Sequence, residues 1–248
     1  MVNAAVIDGP DGEIQTREIR LPAIGANDVR VRVAAAGVCH SDLSMMNGTF
    51  SPSFPLVLGH EASGTVVEVG ADVERDARLA VGDRVVANWS PACRHCWFCL
   101  HGQPWLCTAT EGVASVRRGT LADGTALHHT LGVGAFAEEV VLPANALVPL
   151  PDGVPLELAA LLGCSVLTGF GAIRDTAGVR AGESVVVVGL GGVGLAAIMA
   201  ARLVGAAPII AVDVLPDKEK LALDVGATHF VPAGLLARAG ASSPAVEK

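Results

Sequence analysis

The sequence predicts a β-rich, barrel-like domain followed by an α/β domain built on a parallel sheet. Short runs of β-forming residues extend to about Leu150 and are separated by Gly, Pro and Asp, as in VRVAAAGV, SGTVVEVG, DRVVAN and FAEEVVL. That spacing is typical of antiparallel strands joined by turns. From about Glu157 the pattern alternates between helix and strand, which is typical of βαβ units. A chain of 248 residues is long enough for both domains.

We expect the α/β region to contain, in order, strand Glu183–Val188, helix Val193–Val204, strand Pro208–Asp213, helix Pro216–Val225 and strand His229–Val231. The continuous valine run of the first strand indicates burial on both faces. The second helix has proline in its first turn and Gly226 just after its last residue, the usual terminal asymmetry. The uncharged stretch from Ser184 to Ala201 reaches the lower length limit of a transmembrane helix, but its glycines divide it into strand, turn and helix. The tail after Pro232 has no strong pattern and is expected to fray.

Composition and charge restrict the possible partners. The formal net charge of −8 argues against nucleic acid or an acidic membrane surface as a partner. The N-terminal segment carries several acids and no apolar core, so we expect no signal peptide, no membrane and a cytoplasmic location. Cysteines in that compartment stay reduced, and the clustering of the six cysteines favours metal binding over disulfides.

Four cysteines lie close together in the segment CRHCWFCLHGQPWLC. They form a C-x2-C-x2-C-x7-C array within a lobe of about residues 89–108 and are Cys93, Cys96, Cys99 and Cys107. Four thiolates can close a tetrahedron around zinc, so the array predicts a structural zinc site.

The other two cysteines belong to distant segments that also contain a histidine. Cys39 begins CHSD, His60 and Glu61 end GHE, and Cys164 lies in LLGCS. Two thiolates and one imidazole leave a fourth position open on zinc, which is the form of a catalytic site. We therefore expect two zinc ions per chain.

A glycine turn follows the valine strand. It has the pattern G-x-G-x-x-G and contains Gly189, Gly191, Gly192 and Gly194. Between a strand and a helix this pattern lets the backbone approach a pyrophosphate. Asp213 follows 19 residues after Gly194, at the end of the next strand, where an acid favours NAD over NADP. The alternative is a glycine-rich packing turn with an ordinary aspartate.

Together these motifs resemble the zinc-dependent medium-chain alcohol dehydrogenases, in particular the liver-type, long-chain branch. The resemblance runs from about Val29 to Val231 and includes AGVCHSD, GHEASGTVVEVG, the cysteine lobe, RRGTLADGTALHH, LLGCSVLTGFGA and VVVVGLGGVGL through AVDVLPDK. It implies a fold of α/β plus β class. A GroES-like antiparallel barrel catalytic domain would span residues 1–165, and part of a Rossmann doubly wound parallel sheet would span residues 166–248.

The resemblance also implies roles for residues around the open zinc site. Ser41 would bond the zinc-bound oxygen and start the proton's path outward, and Asp42 would orient His60. Glu61 would be an acid that can approach the metal transiently. Phe50 and Trp89 would line the substrate pocket. Ser41 and Asp42 could instead cap a helix that begins after Cys39.

Four further residues would contact the cofactor. His40 matches a basic position near the pyrophosphate, and Lys218 would lie near the ribose with Asp213. Thr168 and Val193 would press on the nicotinamide. The alternatives are plain packing for Thr168 and Val193, and a solvated charge for Lys218.

The implied function is reversible, zinc-dependent oxidation of a primary alcohol to an aldehyde, with hydride transfer to NAD. The liver-type relay ends in a histidine where this chain has Ser44, so the proton would leave by ribose hydroxyl and water. Glu111 replaces an arginine of the glutathione-adduct branch, and Phe50 an acid, which argues against S-hydroxymethylglutathione. A thiol-adduct formaldehyde dehydrogenase that uses another thiol remains an alternative.

Length is a further departure from the family. Its members are about a hundred residues longer, so we expect only the first half of the cofactor domain here. The chain would then be either a fragment of a homo-oligomeric enzyme or an inactive, truncated remnant.

Overall fold

The computed structural model describes residues 1–76, 78–109 and 114–235. The chain divides into two compact units, the first Met1–Cys164 and the second beginning at Ser165. The strands of the first unit are β1 Val2–Ile7, β2 Gln15–Arg20, β3 Asp28–Gly37, β4 Leu56–Val57, β5 Glu61–Val69, β6 Arg84–Ala87, β7 Ser115–Leu121, β8 Ala126–Thr130, β9 Glu139–Pro143 and β10 Leu147–Pro149. Its α-helices are α1 His40–Met46, α2 Ala71–Asp76, α3 Trp97–Leu100 and α4 Leu156–Ala159.

Two sheets make up the first unit. Strands β1, β2, β7, β8 and β4 form a closed barrel, and a second sheet has the order β10-β6-β5-β3-β9. The barrel was expected to be antiparallel, but β4 pairs with β8 in parallel, so that expectation is wrong for this pair. Strand β4 is only two residues long, too short for residue alternation to reveal it.

Alternation along β3 explains how the second sheet buries one face. Val29 and Val31 are buried in the core, while Arg30 and Arg32 lie on the opposite face. Each arginine pairs with an acid on a neighbouring strand at 3.3 Å, Arg30 with Glu68 on β5 and Arg32 with an acid on β9. Such cross-strand pairs stabilise an exposed sheet face modestly.

The second unit is a three-stranded parallel sheet with helices. Its elements are α5 Ser165–Gly171 with a continuing π-helical turn Ala172–Thr176, β11 Val185–Val188, α6 Gly192–Leu203, β12 Ile209–Asp213, a 3-10 turn Pro216–Lys218, α7 Glu219–Val225 and β13 His229–Pro232. The strand order is β11-β12-β13. The expected elements are all present, with bounds shifted by one to three residues, and the second helix opens as a 3-10 turn.

Burial of β11 differs from the expectation. Val185 and Val187 are each 8% exposed, but Val186 is 58% and Val188 75% exposed. The valine run is therefore buried on one face only within the described residues, and the expectation of two-sided burial is wrong. A continuous apolar run shows that both faces are apolar, but it does not show what covers them.

Small residues let α6 pack closely in this unit. A side chain at Gly169 of α5 would lie 2.7 Å from Ala196 and Ala197 of α6. Among the described residues no single helix is long and apolar enough to cross a membrane. One consecutive pair, Leu156–Gly163 and Ser165–Thr176, would reach that length only jointly. Most of the tail, residues 236–248, lies outside the described residues.

Candidate metal centres and cofactor site

The four-cysteine lobe brings its sulfur atoms together without a disulfide. All four lie within 4.8 Å of one another. The Cys93 and Cys99 sulfurs are 3.9 Å apart, and those of Cys96 and Cys107 are 4.0 Å apart. A tetrahedron with Zn–S bonds of about 2.3 Å has S–S edges of about 3.8 Å. The spacing therefore fits zinc.

The pKa values of the lobe cysteines also favour a bound cation. The backbone N–H groups of Cys99 and Thr108 lower the pKa of Cys96 to about 6. The N–H of Cys93 acts in the same way to lower the pKa of Cys107. Burial and the neighbouring sulfurs raise the pKa of Cys99 to about 12. Four crowded thiols cannot all ionise unless a cation compensates their charge, and a divalent ion would do so.

The second cluster lies at the junction of several elements of the first unit. Cys39 precedes α1, His60 precedes β5, Glu61 begins β5, and Cys164 follows a 3-10 turn. One ligand atom of each of the four residues lies within 4.8 Å of the others. His60 and Glu61 are 0% and 1% exposed. The structure therefore brings the predicted ligands together and adds Glu61 to the same cluster.

Asp42 fixes the orientation of the histidine. Its Oδ1 accepts hydrogen bonds from Nδ1 of His60 and from the N–H of Gly59, both at 3.1 Å. Its Oδ2 accepts from the N–H of Cys39 at 2.9 Å, so Asp42 also caps α1. With Nδ1 bonded to Asp42, Nε2 is the ring nitrogen of His60 left to bind a metal; it is buried, and no described residue makes a hydrogen bond to it. An orphaned imidazole nitrogen beside two thiols is the donor set of a zinc site.

Charge in this cluster is unbalanced without a cation. Burial lowers the pKa of His60, but the hydrogen bond to Asp42 and the nearby Cys164 outweigh it and raise that pKa to about 10. Burial opposes ionisation of Cys39, yet hydrogen bonds from Ser41 and the charge of His60 lower its pKa. The nearby His60 favours the thiolate of Cys164, but burial and the charge of Cys39 outweigh it and raise the pKa of Cys164. A divalent ion would let both thiolates form.

Of the remaining predicted residues of the first unit, Ser41 and Trp89 lie beside the cluster, whereas Phe50 and His40 are exposed. Ser41 lies beside the Cys39 sulfur, and its main-chain and side-chain groups lower the pKa of that thiol. The Trp89 ring stands edge-on to the His60 ring with centroids 6.5 Å apart, and Trp89 lines a cavity of about 180 Å³. Phe50 is 48% exposed and His40 is exposed. Glu111 lies outside the described residues.

The glycine turn joins β11 to α6. Gly189 has φ of +90°, which favours glycine, and a Cβ at Gly194 would collide with the carbonyl oxygen of Gly189. A Cβ at Gly191 would meet nothing within 4 Å, so this glycine keeps space open rather than allowing close packing. Helix α6 begins at Gly192 and has no capping side chain. Its first N–H groups are thus available to an anion.

Asp213 connects the turn to the end of β12. Its Oδ2 accepts hydrogen bonds from the N–H of Leu190 at 2.7 Å and from Nζ of Lys218 at 3.0 Å. Its Oδ1 accepts from the N–H of Leu215 at 2.9 Å. The N–H groups of Leu215 and Leu190, then Lys218, lower the pKa of Asp213 to about 2. Lys218 is therefore ion-paired, contrary to its alternative as a solvated charge.

Sequence reasoning missed several features of both units. It did not anticipate that Asp213 bonds the backbone of the glycine turn. Val193 is 41% exposed and Thr168 is exposed, so neither is a core residue of the second unit. His129 is 1% exposed, and no motif marks it as buried. None of these facts has a local sequence signal, because each depends on contacts between distant segments.

These sites define the class of zinc-binding proteins with a GroES-like first unit, and the second unit has a glycine turn between a strand and a helix. The family model "Alcohol dehydrogenase GroES-like domain" matches residues 25–152. The chain therefore belongs to the zinc-dependent medium-chain alcohol dehydrogenase family. Similar solved structures include an NAD-dependent alcohol dehydrogenase and a zinc-binding dehydrogenase from Sinorhizobium meliloti bound to NADP.

Relatives of known sequence and structure agree with that assignment. The chain is 38% identical over 226 residues to an S-(hydroxymethyl)glutathione dehydrogenase of Paracoccus denitrificans, covering 88% of this chain and 60% of the relative. It is 36% identical over 234 residues to an NDMA-dependent alcohol dehydrogenase of Amycolatopsis methanolica, covering 91% and 62%. An alcohol dehydrogenase zinc-binding domain protein from Burkholderia ambifaria has a TM-score of 0.89 at 36% identity, covering 97% of this chain and 66% of that one. Benzyl alcohol dehydrogenase from Acinetobacter calcoaceticus has a TM-score of 0.82 at 33% identity, with the same coverage. The chain spans about 60% of the length of these curated relatives.

Proposed function

We propose that this chain carries the metal site and part of the cofactor site for reversible oxidation of a primary alcohol to an aldehyde, with hydride transfer to NAD. The cluster of Cys39, His60, Glu61 and Cys164, with Nε2 of His60 orphaned, is the observation that carries the proposal. When bound, zinc lowers the pKa of an alcohol oxygen and NAD accepts a hydride.

The residues around the metal have separate tasks in this proposal. Cys39, Cys164 and Nε2 of His60 hold zinc. Asp42 keeps the proton on Nδ1 of His60 and thereby keeps the Nε2 lone pair directed into the cluster. The hydroxyl of Ser41, which lies beside the Cys39 sulfur, passes the alcohol proton outward.

Asp213 selects the cofactor in this proposal. A carboxylate offers about four lone-pair positions, and three are occupied by Leu190, Leu215 and Lys218. One position remains for a ribose hydroxyl, and the negative charge opposes a 2'-phosphate. The open space at Gly191 and the uncapped start of α6 suit the pyrophosphate.

The substrate proposed is an apolar primary alcohol or its aldehyde. Support comes from Trp89, whose ring stands edge-on to the His60 ring and so puts an apolar surface beside the proposed metal site. A second candidate is formaldehyde oxidation as a thiol adduct, because a relative 38% identical to this chain carries the name S-(hydroxymethyl)glutathione dehydrogenase. For the whole protein we also propose a homo-oligomer and a cytoplasmic location.

The test combines metal analysis with a substrate comparison. NADH formation is measured with benzyl alcohol, with aliphatic primary alcohols, and with formaldehyde plus glutathione or another thiol. The chain is assayed alone and, if the gene encodes further residues, together with them, with Cys164→Ser as the matched inactive control. Two zinc ions per chain and alcohol-dependent NADH formation that Cys164→Ser abolishes are expected. Turnover only with formaldehyde and a thiol would favour the second candidate, and turnover by Cys164→Ser would refute the metal site.

A further inference from the structure

Gly37, the last residue of β3, lies directly across from Glu61 at the start of β5. Its φ is outside the left-handed region, so the backbone does not require glycine there. A Cβ on Gly37 would collide with Oε2 of Glu61 and would stand 3.0 Å from both Cβ and Cδ of Glu61. The Glu61 side chain therefore folds over the backbone of Gly37 and occupies the volume that another residue's side chain would fill.

An extra residue in β3 creates this pairing. Val33 is opposite Gly64, but Ala35 is opposite Ser63, so one residue of β3 is unpaired between them. Without this bulge the regular register would put Ala36 across from Glu61. β-Bulges re-aim side chains and are common beside active sites. Here the bulge places the one residue without a side chain under the carboxylate.

We propose that Gly37 is a positioning residue that holds the Glu61 carboxylate beside the open metal site, within reach of the metal but not bound to it. The inference rests on the proposed zinc site. A carboxylate oxygen of Glu61 lies within 4.8 Å of the ligand atoms of Cys39, His60 and Cys164. The space over Gly37 lets the side chain lie back from those atoms.

A methyl group at Gly37 removes that space. Glu61 is 1% exposed, so its carboxylate cannot turn into water. A buried carboxylate must keep a polar or cationic partner. The adjacent cation would be the metal held by Cys39, His60 and Cys164. Gly37→Ala should therefore push Glu61 onto the fourth coordination position and change an open site into a closed one.

Cobalt(II) reports this change because its absorption bands depend on the ligands and their geometry. The chain is loaded with cobalt, and the bands of the open site are obtained as the difference from Cys164→Ser. Gly37→Ala, Glu61→Ala and the double variant are compared. Gly9→Ala is the matched control, because a Cβ at Gly9 meets nothing within 4 Å and its φ is ordinary.

Gly37→Ala is expected to shift the open-site bands and to raise cobalt affinity there on the order of tenfold. In the Glu61→Ala background the same substitution should change neither quantity. Wild-type bands and affinity in Gly37→Ala, or a shift that persists without the Glu61 carboxylate, overturn the inference. If Gly37→Ala fails to fold, rescue by Glu61→Ala supports it and failure of rescue overturns it. An unmodified chain that binds cobalt in the lobe alone refutes the proposed open site itself, which is a separate result.

Discussion

His129 should make the first unit less stable as the pH falls below neutral. Its imidazole is 1% exposed on β8, and Nδ1 lies 3.3 Å from the carbonyl oxygen of Val133. Burial lowers its pKa to about 4, with the charges of Arg118 and His128 acting in the same direction against the hydrogen bond to Val133. The folded protein therefore keeps His129 neutral where an unfolded chain would protonate it.

The linkage between protonation and folding gives the direction and size of this pH effect on the free energy of unfolding. A histidine whose folded pKa is lowered contributes stability that is complete above the unfolded pKa of about 6.5 and is lost as the pH falls toward 4. Between pH 7 and pH 5 the unfolded state gains about 0.7 of a proton at this site and the folded state about 0.1. With a folded pKa of about 4, the loss is about 2 kcal/mol at pH 5, or about 1 M in a urea midpoint.

Tryptophan fluorescence can isolate this effect. The three tryptophans, Trp89, Trp97 and Trp105, all belong to the first unit, so their signal follows the unfolding of that unit. Urea unfolding at pH 7, 6 and 5 is compared for the unmodified chain and His129→Gln, which keeps an N–H donor but does not titrate. His40→Gln, an exposed histidine of the same unit, is the matched control.

The expected result is a smaller pH dependence in His129→Gln. Its midpoint at pH 7 should fall because the core is altered, but the further loss on going to pH 5 should shrink by about 2 kcal/mol. His40→Gln should keep the full pH dependence. Equal pH dependence in His129→Gln and the unmodified chain would refute the reasoning, since metal loss and all other titrations are common to both.

Three further predictions concern the metal centres and the glycine turn. Cys99→Ser should strongly lower the free energy of unfolding, because zinc binding in the lobe is part of folding. Cys164→Ser should instead lose one zinc ion and keep the fold, so equal thermal stability of the two variants would contradict this prediction. Asp213→Ser should lower the affinity for NAD, allow NADP to bind and remove the hydrogen bond that holds the glycine turn, and titrations with both nucleotides measure the two affinities. Equal affinity of the unmodified chain for NAD and NADP would contradict this prediction. Gly194→Ala should lower the melting temperature of the second unit, because the added Cβ would collide with the carbonyl oxygen of Gly189. Gly191→Ala should keep the stability and lose ADP-ribose binding. An unchanged melting temperature in Gly194→Ala would refute the packing argument.

The metal clusters could be predicted from the sequence because their chemistry is local. Four cysteines within fifteen residues must lie close together in space, and the CHSD and GHE segments each carry several functional residues. The glycine turn was predictable for the same reason. By contrast, the two-residue strand Leu56–Val57 that closes the barrel has no alternation to detect. The pairing of Gly37 with Glu61 depends on a bulge in β3, and no composition signal marks it.

Two buried aspartates show why site geometry is harder to predict than site membership. Asp42 accepts hydrogen bonds from two backbone N–H groups and the His60 ring, and Asp213 from two backbone N–H groups and Lys218. Each carboxylate thus satisfies three donors with two oxygens. An asparagine has one acceptor oxygen and would turn an N–H toward those donors. Both sites therefore require a carboxylate for its acceptor geometry, and at Asp213 this requirement adds to the negative charge that favours NAD over NADP.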